Sequence, residues 1–109
     1  MVAAICSGHE VDIDVSERRI WRSGRVIDMT PREWLVIEAL LMPNCLIWAE
    51  SELVAFFAHC GVVSSPNAVR IHLCNIRRKL GWEVIQTLPG RGYRIASPLL
   101  ARAAQIDRA

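Results

Sequence analysis

Ser65 followed by Pro66, with Gly81 closing the segment, brackets a run that is predicted to settle as one amphipathic helix. Serine supplies an oxygen for the free N–H groups of a first turn, and proline suits the first helical position because it has no N–H to lose there. Glycine accepts the backbone conformation that stops a helix. On a wheel of about 100° per residue, Val69, Leu73, Ile76 and Leu80 fall on one stripe, while Asn67, Arg70, Ile71, Cys74, Asn75 and Arg78 fall on the opposite face. The apolar stripe must be buried against something, and the rest of the chain has to provide it.

Two shorter helices do so. Thr30, Pro31 and Glu33 form a capping-box signature, with Met29 and Trp34 at the two staple positions. Trp34, Leu35, Ile37, Glu38, Leu41 and Met42 then run at helical spacing until Pro43 and Asn44, with Glu38 the one interruption of a largely apolar face. A second helix is predicted from about Glu50 or Ser51 to His59, with Leu53, Val54, Phe56 and Phe57 apolar and Gly61 as its stop.

Strands flank the helices. Val11, Ile13 and Val15 alternate with Asp12 and Asp14, a turn follows at Ser16 and Glu17, and Ile20–Trp21 and Val26–Ile27 are separated by a Ser23–Gly24 turn. At the other end, residues 83–88 have β character, 89–92 make a glycine-rich turn, and 93–96 return as a second strand. The expected fold class is α+β: an N-terminal antiparallel β-sheet, a three-helix bundle and a C-terminal β-hairpin. With 109 residues there is one core and one domain, placed at residues 10–96, between a segment at 1–9 and an alanine-rich tail at 97–109.

The net charge of +2 says little, but its placement says more. Between Asn67 and Arg94 lie Arg70, Arg77, Arg78, Lys79, Arg91 and Arg94 against the single acid Glu83, the pattern of an electrostatic footprint for phosphates. Val2 to Cys6 is too short for a signal-peptide core, and no apolar stretch is long enough to cross a bilayer. The expected location is therefore the cytoplasm, in association with the nucleoid, and not a membrane. Cys6, Cys45, Cys60 and Cys74 lack paired spacing, so reduced thiols are expected, with Cys60 in the core and Cys74 on an exposed helix face.

An isolated Arg-Arg-Lys triplet is ordinarily a solvated helix face. Here it accompanies an apolar stripe, an opposite face of amides and guanidinium groups able to read adenine and guanine edges, and a basic hairpin with Arg91 between Gly90 and Gly92. Ile71 and Cys74 are compact apolar groups suited to a thymine methyl. Such a helix suits the major groove of double-stranded DNA, and the hairpin can reach across the backbone to the minor groove.

Over roughly residues 10–96 the chain resembles the C-terminal effector domain of OmpR/PhoB-type response regulators. The resemblance rests on Met29, Thr30, Pro31, Arg32 and Glu33; on Val69, Ile71, His72, Arg77, Arg78, Lys79 and Leu80; and on Thr87, Gly90, Gly92, Tyr93 and Arg94. It implies a winged helix-turn-helix fold with a four-stranded N-terminal sheet, a recognition helix at about 66–80 and a wing at about 87–94. It also implies a sequence-specific DNA-binding transcriptional regulator. By resemblance, Asn67, Arg70, Ile71, Cys74, Asn75, Arg77 and Arg78 become groove or phosphate contacts, Thr87 a phosphate anchor, and Arg91 and Arg94 wing contacts. Residues 61–65 become a loop that touches RNA polymerase. Arg70 stands where the family usually has an acid, Asn75 where an arginine commonly reads a base, and Pro89 where the wing arginine usually stands, with Arg91 as its replacement. The target sequence is thus expected to be the chain's own. With no room for a receiver domain, activity is expected to be set by protein level, a partner, or self-association as a homodimer.

Three rival readings are weaker. His59, Cys60, His72 and Cys74 lack the tight pairs of zinc modules, so no metal or other cofactor is expected and His72 reads as a packing residue. Catalysis would need a nucleophile, a base and a pocket, whereas Ser64 and Ser65 read as a turn and a cap and Glu33 as a capping acid; the chain is not expected to be an enzyme. The strongest rival is a winged-helix protein-interaction module that binds a transcription factor or RNA polymerase, with Trp48 as a candidate contact.

Overall fold

The computed structural model describes residues 11–14, 16–42 and 47–95. Strands β1 (Val11–Asp14), β2 (Arg19–Arg22) and β3 (Arg25–Ile27) form an antiparallel sheet in that spatial order. Helices α1 (Pro31–Leu40), α2 (Glu50–His59) and α3 (Pro66–Leu80) follow, and β4 (Ile85–Leu88) with β5 (Gly92–Ile95) closes the chain as a hairpin. The α+β class and the element order are those expected from the sequence.

Alternation decides the sheet. Val11, Ile13 and Ile20 are buried on one face, and Ile13 lies directly opposite Ile20. The β2–β3 turn uses Ser23 at φ 52° and Gly24 at φ 80°, two left-handed residues in succession, which matches the twist of a tight hairpin. Of the four strands implied by the resemblance, three lie among the described residues.

Local chemistry starts each helix. Thr30 Oγ1 accepts the Glu33 N–H at 3.2 Å and Glu33 Oε1 accepts the Thr30 N–H at 3.0 Å, completing the capping box. Ser65 Oγ accepts the Ala68 N–H at 3.1 Å at the head of α3. At the head of α2 the cap position is Ala49, which has no side-chain acceptor, and Glu52 Oε1 reaches back to its N–H at 2.8 Å. The end of α1 departs from expectation: the helix stops at Leu40 with Leu41 as its C-cap, ahead of Pro43 and Asn44. Those two residues lie outside the described ones, as do Cys6, Val15, Cys45, Ala96 and the segments 1–9 and 97–109. Strand β4 also starts later than expected, because Trp82 and Glu83 form a turn in which the Val84 N–H bonds the Gly81 carbonyl at 3.3 Å.

The stripe on α3 organises the core. Val69, Ile76 and Leu80 are 0% exposed and Leu73 is 1% exposed, in one cluster with Ile37, Leu40, Leu53 and Phe57 from α1 and α2. The His72 ring stacks on Phe57 at 5.9 Å between centroids, as a packing residue would; burial holds its pKa below the ordinary histidine value. Trp48 is buried, edge-on to Phe56 at 5.6 Å, so it belongs to the core and not to a partner surface. Cys60 reverses its expected place: it is exposed, because it caps the C-terminus of α2 where the chain turns outward at Gly61.

One polar cluster ties the layers together. Glu33 is only 2% exposed, and its Oε1 receives Lys79 Nζ at 2.6 Å. Lys79 Nζ also donates to the Asp28 carbonyl at 2.9 Å, and Arg22 Nη1 donates to the Lys79 carbonyl at 3.2 Å. The sheet, α1 and the C-terminal end of α3 thereby meet at a single charge-assisted junction.

Candidate nucleic-acid interface

Once four residues of α3 are committed to the core, helical periodicity fixes what the remaining positions can do. Asn67, Ile71 and Arg78 project from the far side, all three exposed, with Ile71 at 52%. Cys74 and Asn75 are half-buried. Cys74 Sγ lies 3.8 Å from Arg78 Nη2, one turn away on the same face. Ile71 gives this face of amide and guanidinium groups one compact apolar spot, a chemistry that suits a thymine methyl in a major groove.

The flank positions behave differently. Arg70 and Arg77 each lie roughly a quarter-turn from the buried stripe, on the side that faces the wing and the head of α2. Arg70 is exposed, with Nη1 3.5 Å from Glu50 Oε1. Arg77 turns inward: Nε and Nη2 donate to the Ile85 carbonyl at 3.1 and 2.8 Å, and Nη2 donates to Thr87 Oγ1 at 2.7 Å. Its guanidinium also lies 5.6 Å from the Trp82 ring centroid and 5.9 Å from that of Tyr93. Arg77 thus fastens the wing to α3. Lys79, on the opposite flank, is taken by Glu33, so two of the six cations of the sequence footprint hold the fold together.

The wing has two chemically distinct faces. Ile85 pairs with Ile95 and Thr87 with Tyr93, whereas Gln86 pairs with Arg94, so Thr87 and Arg94 emerge on opposite sides of the hairpin. On the face that holds Thr87 and Tyr93, Ile85 and Ile95 are buried at the base of the hairpin, while Thr87 nearer the tip is exposed. On the other face Arg94 Nε donates to Gln86 Oε1 at 2.7 Å. Arg77 occupies an acceptor site on the Thr87 hydroxyl, which leaves the hydroxyl proton available to an anionic oxygen. At the tip Arg91 is exposed, and its N–H closes the turn on the Leu88 carbonyl at 2.9 Å.

The glycines beside Arg91 serve the protein itself. Gly92 adopts φ 140°, and a Cβ there would stand 2.2 Å from the Trp48 carbonyl oxygen. The close approach is the bridge between Trp48 and Tyr93, whose N–H and carbonyl groups bond reciprocally at 2.8 Å. This bridge anchors the wing to Trp48, two residues ahead of α2, and sequence reading did not detect it. The contact between Glu50 and Tyr93 was missed as well: Tyr93 donates its hydroxyl to Glu50 Oε2 at 3.0 Å. Burial first, and then the Glu50 carboxylate, raise the Tyr93 pKa above the ordinary phenol value.

Among the described residues no three His, Cys, Asp or Glu side chains converge on a metal-sized site. No helix there is long and apolar enough to cross a membrane.

Comparison with known proteins bears on this arrangement. The sequence profile of the family described as "Transcriptional regulatory protein, C terminal" matches residues 24–95. The chain is 31% identical over 90 residues to the response regulator protein PmrA of Pseudomonas aeruginosa, covering 82% of this chain and 40% of that one. It is 31% identical over 86 residues to the transcriptional regulatory protein CutR of Streptomyces coelicolor, covering 78% and 40%. The chain thus spans about 40% of the length of these curated relatives. Among solved structures it is similar to the DNA-binding domain of the response regulator AdeR, crystallised with an intercistronic region (TM-score 0.61, 20% identity, 78% of this chain and 92% of that one). It is also similar to the DNA-binding domain of CpxR from Escherichia coli (TM-score 0.59, 24% identity, 81% and 91%). At such identities the two structures speak for the fold.

Proposed function

Because the chain belongs to the transcriptional regulatory protein C-terminal family, the OmpR/PhoB-type DNA-binding effector domains, we propose that it reads a specific duplex with α3 in the major groove and the wing at the adjacent minor groove. The observation that carries this reading is the division of α3. One face is buried almost completely, while Asn67, Arg70, Ile71 and Arg78 stand in solvent and supply donors and an apolar group of the kinds that pair with base edges. In this reading Asn67, Arg70, Ile71, Cys74 and Asn75 face bases, and Arg78, Thr87, Arg91 and Arg94 meet backbone or minor groove. Arg77 is a positioning residue that sets the angle of the wing.

The proposal is tested by titrating the protein against duplex DNA. Arg78→Ala and Arg91→Ala are expected to weaken binding for all sequences. Asn75→Ala is expected to relax choice at one base by about 1 to 3 kcal/mol. Unchanged affinity and preference in all three variants would contradict the assignment.

A second contact is supported by the loop at 61–65 between α2 and α3, where Val63 is 93% exposed. We assign this loop to RNA polymerase. Val63→Ser is expected to retain DNA affinity and to lose stimulated transcription in a purified system; full stimulation by the variant would remove the assignment. The purely protein-binding reading is not favoured, since it leaves the exposed arginines and amides of α3 without a role.

A further inference from the structure

Arg70 departs from the acid usual at its position, and the structure supplies a carboxylate from elsewhere: Glu50, the first residue of α2, at 3.5 Å from Arg70 Nη1. A long side chain that is more than half exposed ordinarily samples many rotamers, and reading a base requires one of them. Glu50 is placed to select it. Its other oxygen accepts the Tyr93 hydroxyl at 3.0 Å, and Tyr93 is itself fixed by the backbone bridge to Trp48 and by the Arg77 guanidinium near its ring. The helix N-terminus favours the carboxylate at this point. A line of contacts therefore runs from the wing through Tyr93 and Glu50 to Arg70, near the start of α3, where a recognition helix usually meets base edges.

Glu50 has a second consequence. Its charge offsets part of that of Arg70, which weakens the sequence-independent attraction of Arg70 to phosphates and leaves base contacts a larger share of its binding. A single contact to Glu50 leaves most of the five guanidinium donors free, enough for the paired O6 and N7 acceptors of one guanine.

We propose that Glu50 is a specificity-determining positioning residue: held by Tyr93, it presents Arg70 to a guanine at one position of the operator and penalises other sequences. This rests on the reading of α3 as a DNA-recognition helix.

The test is selection from random duplexes followed by sequencing of the bound fraction, for the wild type, Glu50→Gln, Tyr93→Phe and Arg70→Lys. Glu50→Gln keeps an oxygen for Tyr93 but loses the charge. It is expected to reduce preference for guanine at one position roughly tenfold, with unchanged or higher affinity for non-cognate duplex. Arg70→Lys, which cannot make the paired contact, loses preference at the same position, and Tyr93→Phe loses part of it. Glu38→Gln, whose partner Arg18 lies in the β1–β2 turn at 2.8 Å, keeps the wild-type motif. If Glu50→Gln and Tyr93→Phe alter thermal stability but leave the motif intact, Glu50 is only structural and the proposal is overturned. A wild-type motif that Arg70→Lys does not change overturns it too, while the DNA-binding reading stands. No motif for the wild type overturns both.

Discussion

Arg77 and Arg78 are neighbours in the sequence and have opposite fates. One turns inward to the Ile85 carbonyl, the Thr87 hydroxyl and two aromatic rings; the other stands in solvent beside Cys74. The step of about 100° between successive helical residues puts them on different sides of α3, and the wing that folds back against one side gives Arg77 its partners. Arg77→Ala is expected to lower stability by about 1 to 2 kcal/mol, since it removes two part-buried bonds to the Ile85 carbonyl and one exposed bond to the Thr87 hydroxyl. Arg78→Ala should stay within about 0.5 kcal/mol of wild type yet weaken DNA binding. Chemical denaturation of the two variants, alongside duplex titration, checks this split; equal stability losses would mean that Arg77 is not fastened as described. The exposed members of the α3 face were legible in the sequence because four apolar positions define the opposite side. The inward turn of Arg77 was not, because it depends on where the wing folds back.

Among the elements, the starts of α1 and α3 were legible because their capping bonds span only three residues: Thr30 with Glu33, and Ser65 with Ala68. What could not be read is the second task of Glu33, whose partner Lys79 is 46 residues away. Burial alone would raise the Glu33 pKa; the Lys79 bond and the Thr30 N–H outweigh it and hold the pKa below the ordinary 4.5. The folded state therefore binds the proton less tightly than the unfolded chain does. The contribution of Glu33 is fully present above the unfolded value and is lost as pH falls through the lowered folded one. Glu33→Gln is expected to destabilise by about 1.5 to 3 kcal/mol near neutral pH and to flatten the acid limb of the stability profile. Melting curves between pH 7 and the acid transition, at roughly half-unit steps, measure it, and an unchanged acid limb would show that another carboxylate governs that limb. The late start of β4 also belongs to this scale, since the turn at Trp82 and Glu83 is set by a bond back to Gly81.

At the scale of the whole molecule, the order of sheet, three helices and hairpin followed from periodicity and turn residues alone, and the likeness to solved DNA-binding domains supports the same fold. The way the wing sits against the helices did not follow. It depends on the Trp48–Tyr93 bridge, the approach of Gly92 to the Trp48 backbone and the Tyr93–Glu50 bond, contacts between segments more than forty residues apart. These contacts turn a basic hairpin and a basic helix into one surface of fixed shape, which is what sequence-specific recognition requires.

The central claim is that this surface reads DNA. Its most direct test is the binding of purified protein to a pool of random duplexes at low and moderate salt, with the bound fraction sequenced at each. The account predicts enrichment of one short motif, with a steep loss of affinity as salt rises, near a slope of about 0.9 per phosphate contacted. Binding that is insensitive to salt and enriches no motif would contradict it, and would move the exposed face of α3 and the wing from DNA to a protein partner.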